Sequence, residues 1–246
     1  MNDVTVIHAP AKLTIALQVA GVRPDGYHLI VAEMASLDLV DTIEITDSPV
    51  SSITVTGPYA DGVPTDDSNL VMRALRLAGR TARIRVTKNI PNGGGLGGGS
   101  SDAAAVLRWA GFGDLNAASR VGADIPFCMV GGRAVVMGIG EDVQPLPFVR
   151  RDITLVIPPL HVSTPAVYAK WDELGGPRTH PVNHLTEAAV AVEPRLAEWQ
   201  QRIAVASGAE PVLAGSGATW FLHGHHPGIA TALPGAVVLT TNTRPA

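Results

Sequence analysis

The chain has 246 residues, enough for one large domain or two small ones with a proper buried core. It is 46% hydrophobic and only 16% charged, with a formal net charge of −4, no Lys/Arg cluster and no apolar run long enough to cross a bilayer. That balance argues against a nucleic-acid partner and a membrane partner, while a lone cysteine, Cys128, excludes an internal disulfide and fits a reducing, cytoplasmic setting.

Met1-Asn2-Asp3 leads straight into alternation, without the basic segment and apolar block of a signal peptide. Val4 to Ile7 reads as a short strand. After Pro10-Ala11-Lys12, the positions Leu13, Ile15, Leu17 and Val19 alternate with smaller or polar residues at the period of a half-buried strand. Arg23-Pro24-Asp25-Gly26 is a turn, Tyr27-His28 lead into an extended run from Leu29 to Leu39, and further strands are expected at Thr42 to Ile45 and Ile53 to Val55. Asp66-Asp67-Ser68 precedes a helix from Asn69 that Gly79 stops. Ala82 to Lys88 alternates cleanly, as a strand with one wet face, and feeds the stretch Pro91-Asn92-Gly93-Gly94-Gly95-Leu96-Gly97-Gly98-Gly99-Ser100-Ser101-Asp102, behind which an alanine-rich helix begins. A short helix from Leu115 to Val121, the segment Gly122-Ala123-Asp124-Ile125-Pro126-Phe127, a strand from Arg133 to Met137 and a tight loop from Gly138 to Glu141 follow. A boundary is expected between Pro145 and Arg151. It divides an N-terminal ATP-binding domain, 1–148, from a C-terminal domain, 149–246. The second half carries a strand from Thr154 to Ile157, a helix start at Ser163-Thr164-Pro165 and an amphipathic helix from Pro194 to Val205. A second glycine turn, Ala214 to Ala218, precedes the strand Trp220 to Leu222, and Pro227 to Leu233 and Val237 to Leu239 close an α+β fold.

Two glycine triplets opening into a helix are costly in backbone entropy and suit a site where bare amides and a helix N-terminus meet an anion. The match of Gly93, Gly95 and Gly98 to the dinucleotide fingerprint is weak, because the preceding strand carries Arg83, Arg85 and Thr87 on alternate positions instead of an unbroken apolar run. No lysine follows Gly99, so the loop is not a Walker A loop, and no protein-kinase signature occurs downstream. A flexible linker does not sit between a strand and a helix start. A different phosphate loop remains.

That loop resembles the ATP loop of the galactokinase, homoserine kinase, mevalonate kinase and phosphomevalonate kinase superfamily. The doubled triplet around Leu96, with Pro10-Ala11-Lys12-Leu13, Arg23 to His28, Gly122 to Phe127, Ser163 to Tyr168 and Gly215-Ser216-Gly217-Ala218, resembles its cytidyl-methylerythritol kinase branch across nearly the whole chain. The resemblance implies a two-domain α+β kinase with its active site in the interdomain cleft. It also implies phosphorylation, by ATP with Mg2+, of the 2-hydroxyl of a cytidine-diphosphate-linked methylerythritol in the non-mevalonate isoprenoid pathway.

On that resemblance Asp124 accepts the hydroxyl proton and Lys12 holds it ionised; a helix N-cap is the plain alternative for Asp124, and a solvated surface group that for Lys12. The amides of Gly95 to Ser101 hold phosphates, with Pro91, Gly93, Gly94, Leu96, Gly97, Gly98 and Gly99 forming the loop. Ser100 or Ser101 reaches magnesium, and Asn69 and Lys88 contact the nucleotide. Tyr27 and His28 face the cytidine. Thr14 stands where asparagine is common and Asp102 likewise, and the segment from Asp102 to Asp124 is short for the family. A sister kinase for another small alcohol, or a nucleotide-binding module without catalysis, stays open. His223, His225 and His226 lack the carboxylate or cysteine of a fuller metal set, and Cys128 reads as a small buried hydrophobe.

Overall fold

The structure is a computed structural model that describes residues 3–226 and 228–246. Met1 and Asn2, where the leader reading began, and Pro227, where the last helix was expected to start, lie outside the described residues.

Two long strands dominate. β1 spans Val4–Val22 and β2 spans His28–Asp47, paired antiparallel along their whole lengths. The sequence suggested short separate strands because polar and turn-forming residues interrupt the alternation. The structure keeps the strand and absorbs each interruption as a register shift, between Pro10 and Lys12, Thr14 and Ala16, and Val19 and Gly21. On the other edge of β2, β4 (Ala82–Thr87) pairs with its second half and β5 (Arg133–Gly138) with its first. The parallel β3 (Ser52–Thr56) flanks β4, and β6 (Asp142–Leu146) forms the opposite edge, where Pro145 costs no interior ladder bond. The expected alternation of β4 is present: Ala82, Ile84 and Val86 are buried while Arg83 and Arg85 are exposed.

Helix α1 (Leu70–Leu77) is capped by Asn69, whose side chain accepts from the Val71 amide at 2.8 Å. Helix α2 (Gly98–Trp109) buries every residue from Ser101 to Leu107, packed against β1, α1 and α4 (Ile125–Val130). Burial on all sides explains its run of alanines, since neighbouring elements approach too closely for larger side chains. Only the five-residue α3 (Leu115–Ser119) intervenes between α2 and Asp124.

The second half builds a four-stranded antiparallel sheet in the order β10 (Val237–Asn242), β7 (Asp152–Ile157), β9 (Trp220–His223), β8 (Val212–Leu213). Helices α5 (Thr164–Glu173), α6 (Thr186–Val192), α7 (Arg195–Ser207) and α8 (Ile229–Ala232) accompany it. One buried cluster draws Leu13, Leu37, Ile90 and Leu96 from the first sheet's side and Ile153, Leu155 and Phe221 from the second. Isolated bridges Leu17–Asn183 and Leu37–Thr243 stitch the halves together. No helix among the described residues is long and apolar enough to cross a membrane.

Candidate active site

Lys12 sits where β1 changes register, and its amide donates to the Leu96 carbonyl at 2.9 Å, tying the strand to the glycine loop. Its ammonium lies 3.1 Å from Asp124 Oδ2 and 3.3 Å from the Thr14 hydroxyl. The Lys12 side chain is 8% exposed and the Asp124 side chain 31%, so the pair is sheltered yet reachable. Asp124 occupies the N-cap position of α4 but makes no capping hydrogen bond; its carboxylate faces Lys12, which removes the N-cap alternative. Gly140 lets the β5–β6 turn press against this segment, since a Cβ there would stand 2.2 Å from the Ala123 carbonyl oxygen and its φ is +118°.

The glycine loop lies against Lys12 on one side and the second glycine turn on the other. A Cβ at Gly97 would meet the Lys12 stem at 2.6 Å, at Gly95 the Gly217 carbonyl oxygen at 2.8 Å, and at Gly94 the Thr219 hydroxyl at 2.8 Å. These glycines are therefore demanded by protein neighbours. Gly99 meets only Leu70, at 3.6 Å, and Gly93 only His161, at 3.7 Å. The first internal donor of α2 is the Ser101 amide, bonded to the Gly97 carbonyl at 2.8 Å, so the amides of Gly98, Gly99 and Ser100 stand unspent among the described residues at the helix's positive end. A cavity of about 370 Å³ opens here, lined by Gly93, Gly95, His161, Thr164, Pro165 and Gly217 among others.

Several expected contacts fall elsewhere. Lys88, expected at the nucleotide, is 2% exposed, and its ammonium is held by Asp41 and, at 2.7 Å, by Asp102. Burial alone would lower that ammonium; Asp102 and Asp41 more than offset it and hold its pKa above the usual value. Ser101 is wholly buried and donates to the Pro10 carbonyl at 2.6 Å, so its hydroxyl is spent inside the fold and does not serve magnesium. Asn69 commits its oxygen to the α1 cap and its amide nitrogen to the Pro64 carbonyl at 2.6 Å. Pro91 is buried, and the Leu96 side chain points into the core shared by both sheets. Of the two serines, Ser100 alone remains partly open beside the loop.

Asp102, the acid at an unusual position, is buried against the Lys88 ammonium. Burial raises its carboxyl to about 7, with Lys88 opposing and Asp41 adding. Its Oδ1 has no hydrogen-bond partner among the described residues.

On the far lip, His28 bonds Asp172 at 2.9 Å and stacks near Tyr168, with ring centroids 4.6 Å apart, and edge-on to Trp171 at 5.6 Å. Tyr27 is 61% exposed beside it. Burial and then the Asp124 charge push the Tyr168 phenol up to about 12, so it stays a neutral donor. Asp172 carries no sequence signal of its own; Tyr168 does, as the aromatic that follows Ser163-Thr164-Pro165, and so do Thr164 and Ser216, whose hydroxyls from two of the motifs meet at 2.7 Å. Cys128 is buried as expected, and burial followed by the nearby Asp124 charge pushes its thiol up to about 12. The His226 ring bonds the His223 carbonyl at 3.0 Å.

Residues 69–132 match the family model described as the GHMP kinases N terminal domain. A 4-diphosphocytidyl-2-C-methyl-D-erythritol kinase of Paracoccus denitrificans is 39% identical over 236 residues, covering 87% of this chain and 84% of the relative. A crystal structure of 4-(cytidine 5'-diphospho)-2C-methyl-D-erythritol kinase superposes with a TM-score of 0.78 at 29% identity, covering 98% of this chain and all of the other. A homoserine kinase from Cytophaga hutchinsonii shares the fold, at TM-score 0.63 and 17% identity, with 100% of this chain and 96% of that one covered. The α+β small-molecule kinase fold is thereby shown, and at this identity and coverage the chain belongs to the 4-diphosphocytidyl-2-C-methyl-D-erythritol kinase family.

Proposed function

We propose that this chain transfers the γ-phosphoryl group of ATP to the 2-hydroxyl of 4-diphosphocytidyl-2-C-methyl-D-erythritol, a step of non-mevalonate isoprenoid synthesis. The observation that carries the reading is the Lys12–Asp124 contact, 3.1 Å, beside the open N-terminus of α2. Phosphoryl transfer asks a protein for in-line positioning, neutralisation of charge and a place for the hydroxyl proton. Asp124 accepts that proton, and Lys12, in contact with its carboxylate, offsets charge on the transferring group.

The unspent amides of Gly98, Gly99 and Ser100, at a helix N-terminus, suit the nucleotide's phosphates. The Ser100 hydroxyl would hold Mg2+, which would supply charge neutralisation on the phosphates. Thr14, buried beside the Lys12 ammonium, positions the acceptor hydroxyl. Tyr27, His28 and Tyr168 form an aromatic lip suited to a pyrimidine base. In this reading 1–148 supplies the nucleotide loop and 149–246 the facing wall, and the cytoplasm, where ATP is abundant, is the place of action.

The test is ATP turnover with the cytidine-diphosphate substrate beside mevalonate and homoserine. Turnover of the first alone is expected. Preference for another alcohol overturns the assignment, and turnover of none leaves a nucleotide-binding module.

A further inference from the structure

The turn Gly138-Ile139-Gly140-Glu141 joins β5 to β6, and β6 packs against α4, the helix that Asp124 opens. The turn is locked from within. The Glu141 carboxylate folds back to accept from the Ile139 amide at 2.6 Å, and the Gly140 amide donates to the Met137 carbonyl at 3.2 Å. Gly138, with φ +72°, leaves the space this carboxylate fills, since a Cβ there would stand 2.5 Å from Glu141 Oε1. Locked in this way, the turn presents bare Gly140, buried and at φ +118°, flush against the Ala123 carbonyl.

Asp124 depends on that contact more than a capping aspartate would. Among the described residues its carboxylate is bonded by Lys12 alone, and it makes no capping hydrogen bond that would tie it to α4. The backbone before it is gripped from two directions. Gly140 closes on Ala123 from one side; on the other, a Cβ at Gly122 would meet the Ile125 side chain at 3.2 Å and the Ser100 hydroxyl at 3.7 Å. The place of the carboxylate beside Lys12 and the glycine loop is therefore set by the backbone of residues 122–124. We propose that Gly140 and Glu141 are positioning residues for the phosphoryl transfer: the turn locked by Glu141 holds the Ala123-Asp124 backbone where the Asp124 carboxylate meets both Lys12 and the acceptor hydroxyl. The inference rests on the reading of Asp124 as the proton acceptor. A methyl group at position 140 would force the Ala123 carbonyl back by about 1 Å, a displacement that costs on the order of 10²-fold in rate when it misplaces a reacting group. Glu141 acts one step further out, through the shape of the turn, so its loss costs less.

Steady-state kinetics of Gly140→Ala, Glu141→Ala and Glu141→Gln, each also combined with Asp124→Asn, tests this, with a thermal melt of every variant. Gly140→Ala is expected to lower kcat by about 10- to 100-fold, with KM for ATP and for the alcohol within about twofold of the wild type. Glu141→Ala is expected to lose about three- to tenfold in kcat, and Glu141→Gln, whose amide oxygen still accepts from Ile139, to return close to the wild type. On top of Asp124→Asn, no change at 140 or 141 should cost more than about a further threefold, because the group they place is gone. A folded Gly140→Ala with unchanged kcat, or with its full loss repeated in the Asp124→Asn background, overturns the proposal. Should Gly140→Ala fail to melt cooperatively, the Glu141 pair decides: wild-type kcat in Glu141→Ala, or no recovery in Glu141→Gln, overturns it. A readout independent of turnover is the carbon-13 resonance of the Asp124 carboxyl, assigned by its loss in Asp124→Asn. It should move in Glu141→Ala and stay in Glu141→Gln, and a resonance unmoved in Glu141→Ala contradicts the placement. Undiminished turnover in Asp124→Asn sinks the proton-acceptor reading and this inference with it, whereas a crippled Asp124→Asn beside a fully active Gly140→Ala sinks the inference alone.

Discussion

The Lys88 ammonium lies 2.7 Å from the Asp102 carboxylate, directly beneath Gly98, where an added Cβ would stand 3.0 Å from the Lys88 nitrogen. One cation thus serves two buried acids under the phosphate end of α2, and burial raises the Asp102 carboxyl to about 7. An acid with a raised folded pKa contributes stability that is fully present below its unfolded value and is lost as pH rises through the folded one. Asp102→Asn should therefore melt above the wild type at pH 8, with the gap narrowing as pH falls from about 7 towards 4. Thermal melts across that range are the check, and a gap independent of pH would count against the assignment.

Removing the proposed proton acceptor separates chemistry from binding. Asp124→Asn should lower kcat by about 10²–10⁴ while nucleotide affinity changes little. Turnover paired with equilibrium nucleotide binding measures both, and unchanged turnover would move the proton to the phosphate itself.

The loop glycines divide into two kinds, and alanine distinguishes them. At Gly95, with φ +74° and the Gly217 carbonyl oxygen 2.8 Å from an added Cβ, alanine should cost about 1–3 kcal/mol of stability. At Gly99, in the first turn of α2 with only Leu70 nearby, alanine should fold at least as stably as the wild type but bind ATP more weakly. Denaturant melts of both variants, with ATP titrations of the second, decide the matter; equal destabilisation would defeat the division.

Asp172 is half exposed and touches the site only through His28. Asp172→Ala should loosen the imidazole and raise KM for the cytidine-linked substrate several-fold, with kcat nearly unchanged. Steady-state kinetics at saturating ATP tests this, and a loss confined to kcat would contradict it.

The chemistry-bearing residues were more legible than their surroundings. Asp124 stood out as an acid among apolar neighbours and Lys12 through the motif Pro10-Ala11-Lys12-Leu13, and the fold brings them together. The strand interruptions at Pro10 and Gly21 concealed the continuity of β1, because a bulge leaves the same local trace as a strand end. β6 was hidden by Pro145, β8 by its two-residue length, and α4 by an apolar run too short to show a helical period. Lys88 and Ser101 misled for one reason: sequence marks a polar residue near a phosphate loop but not the side of the loop it faces. The glycine triplets were read as bare backbone for a ligand, whereas Gly94, Gly95 and Gly97 also owe their identity to Thr219, Gly217 and Lys12. That dependence rests on contacts distant in sequence and leaves no local signature.

The state of Cys128 has a practical consequence. It is the single cysteine of the chain, and with its thiol buried and pushed up to about 12, thiolate is scarce at neutral pH and maleimides find little to attack. A cysteine introduced at exposed Val50 and another at exposed Val205 would then take up fluorophores almost alone. Any change in the distance between the two positions when ligand binds becomes readable by energy transfer in the otherwise natural chain, with no need to engineer the native thiol away.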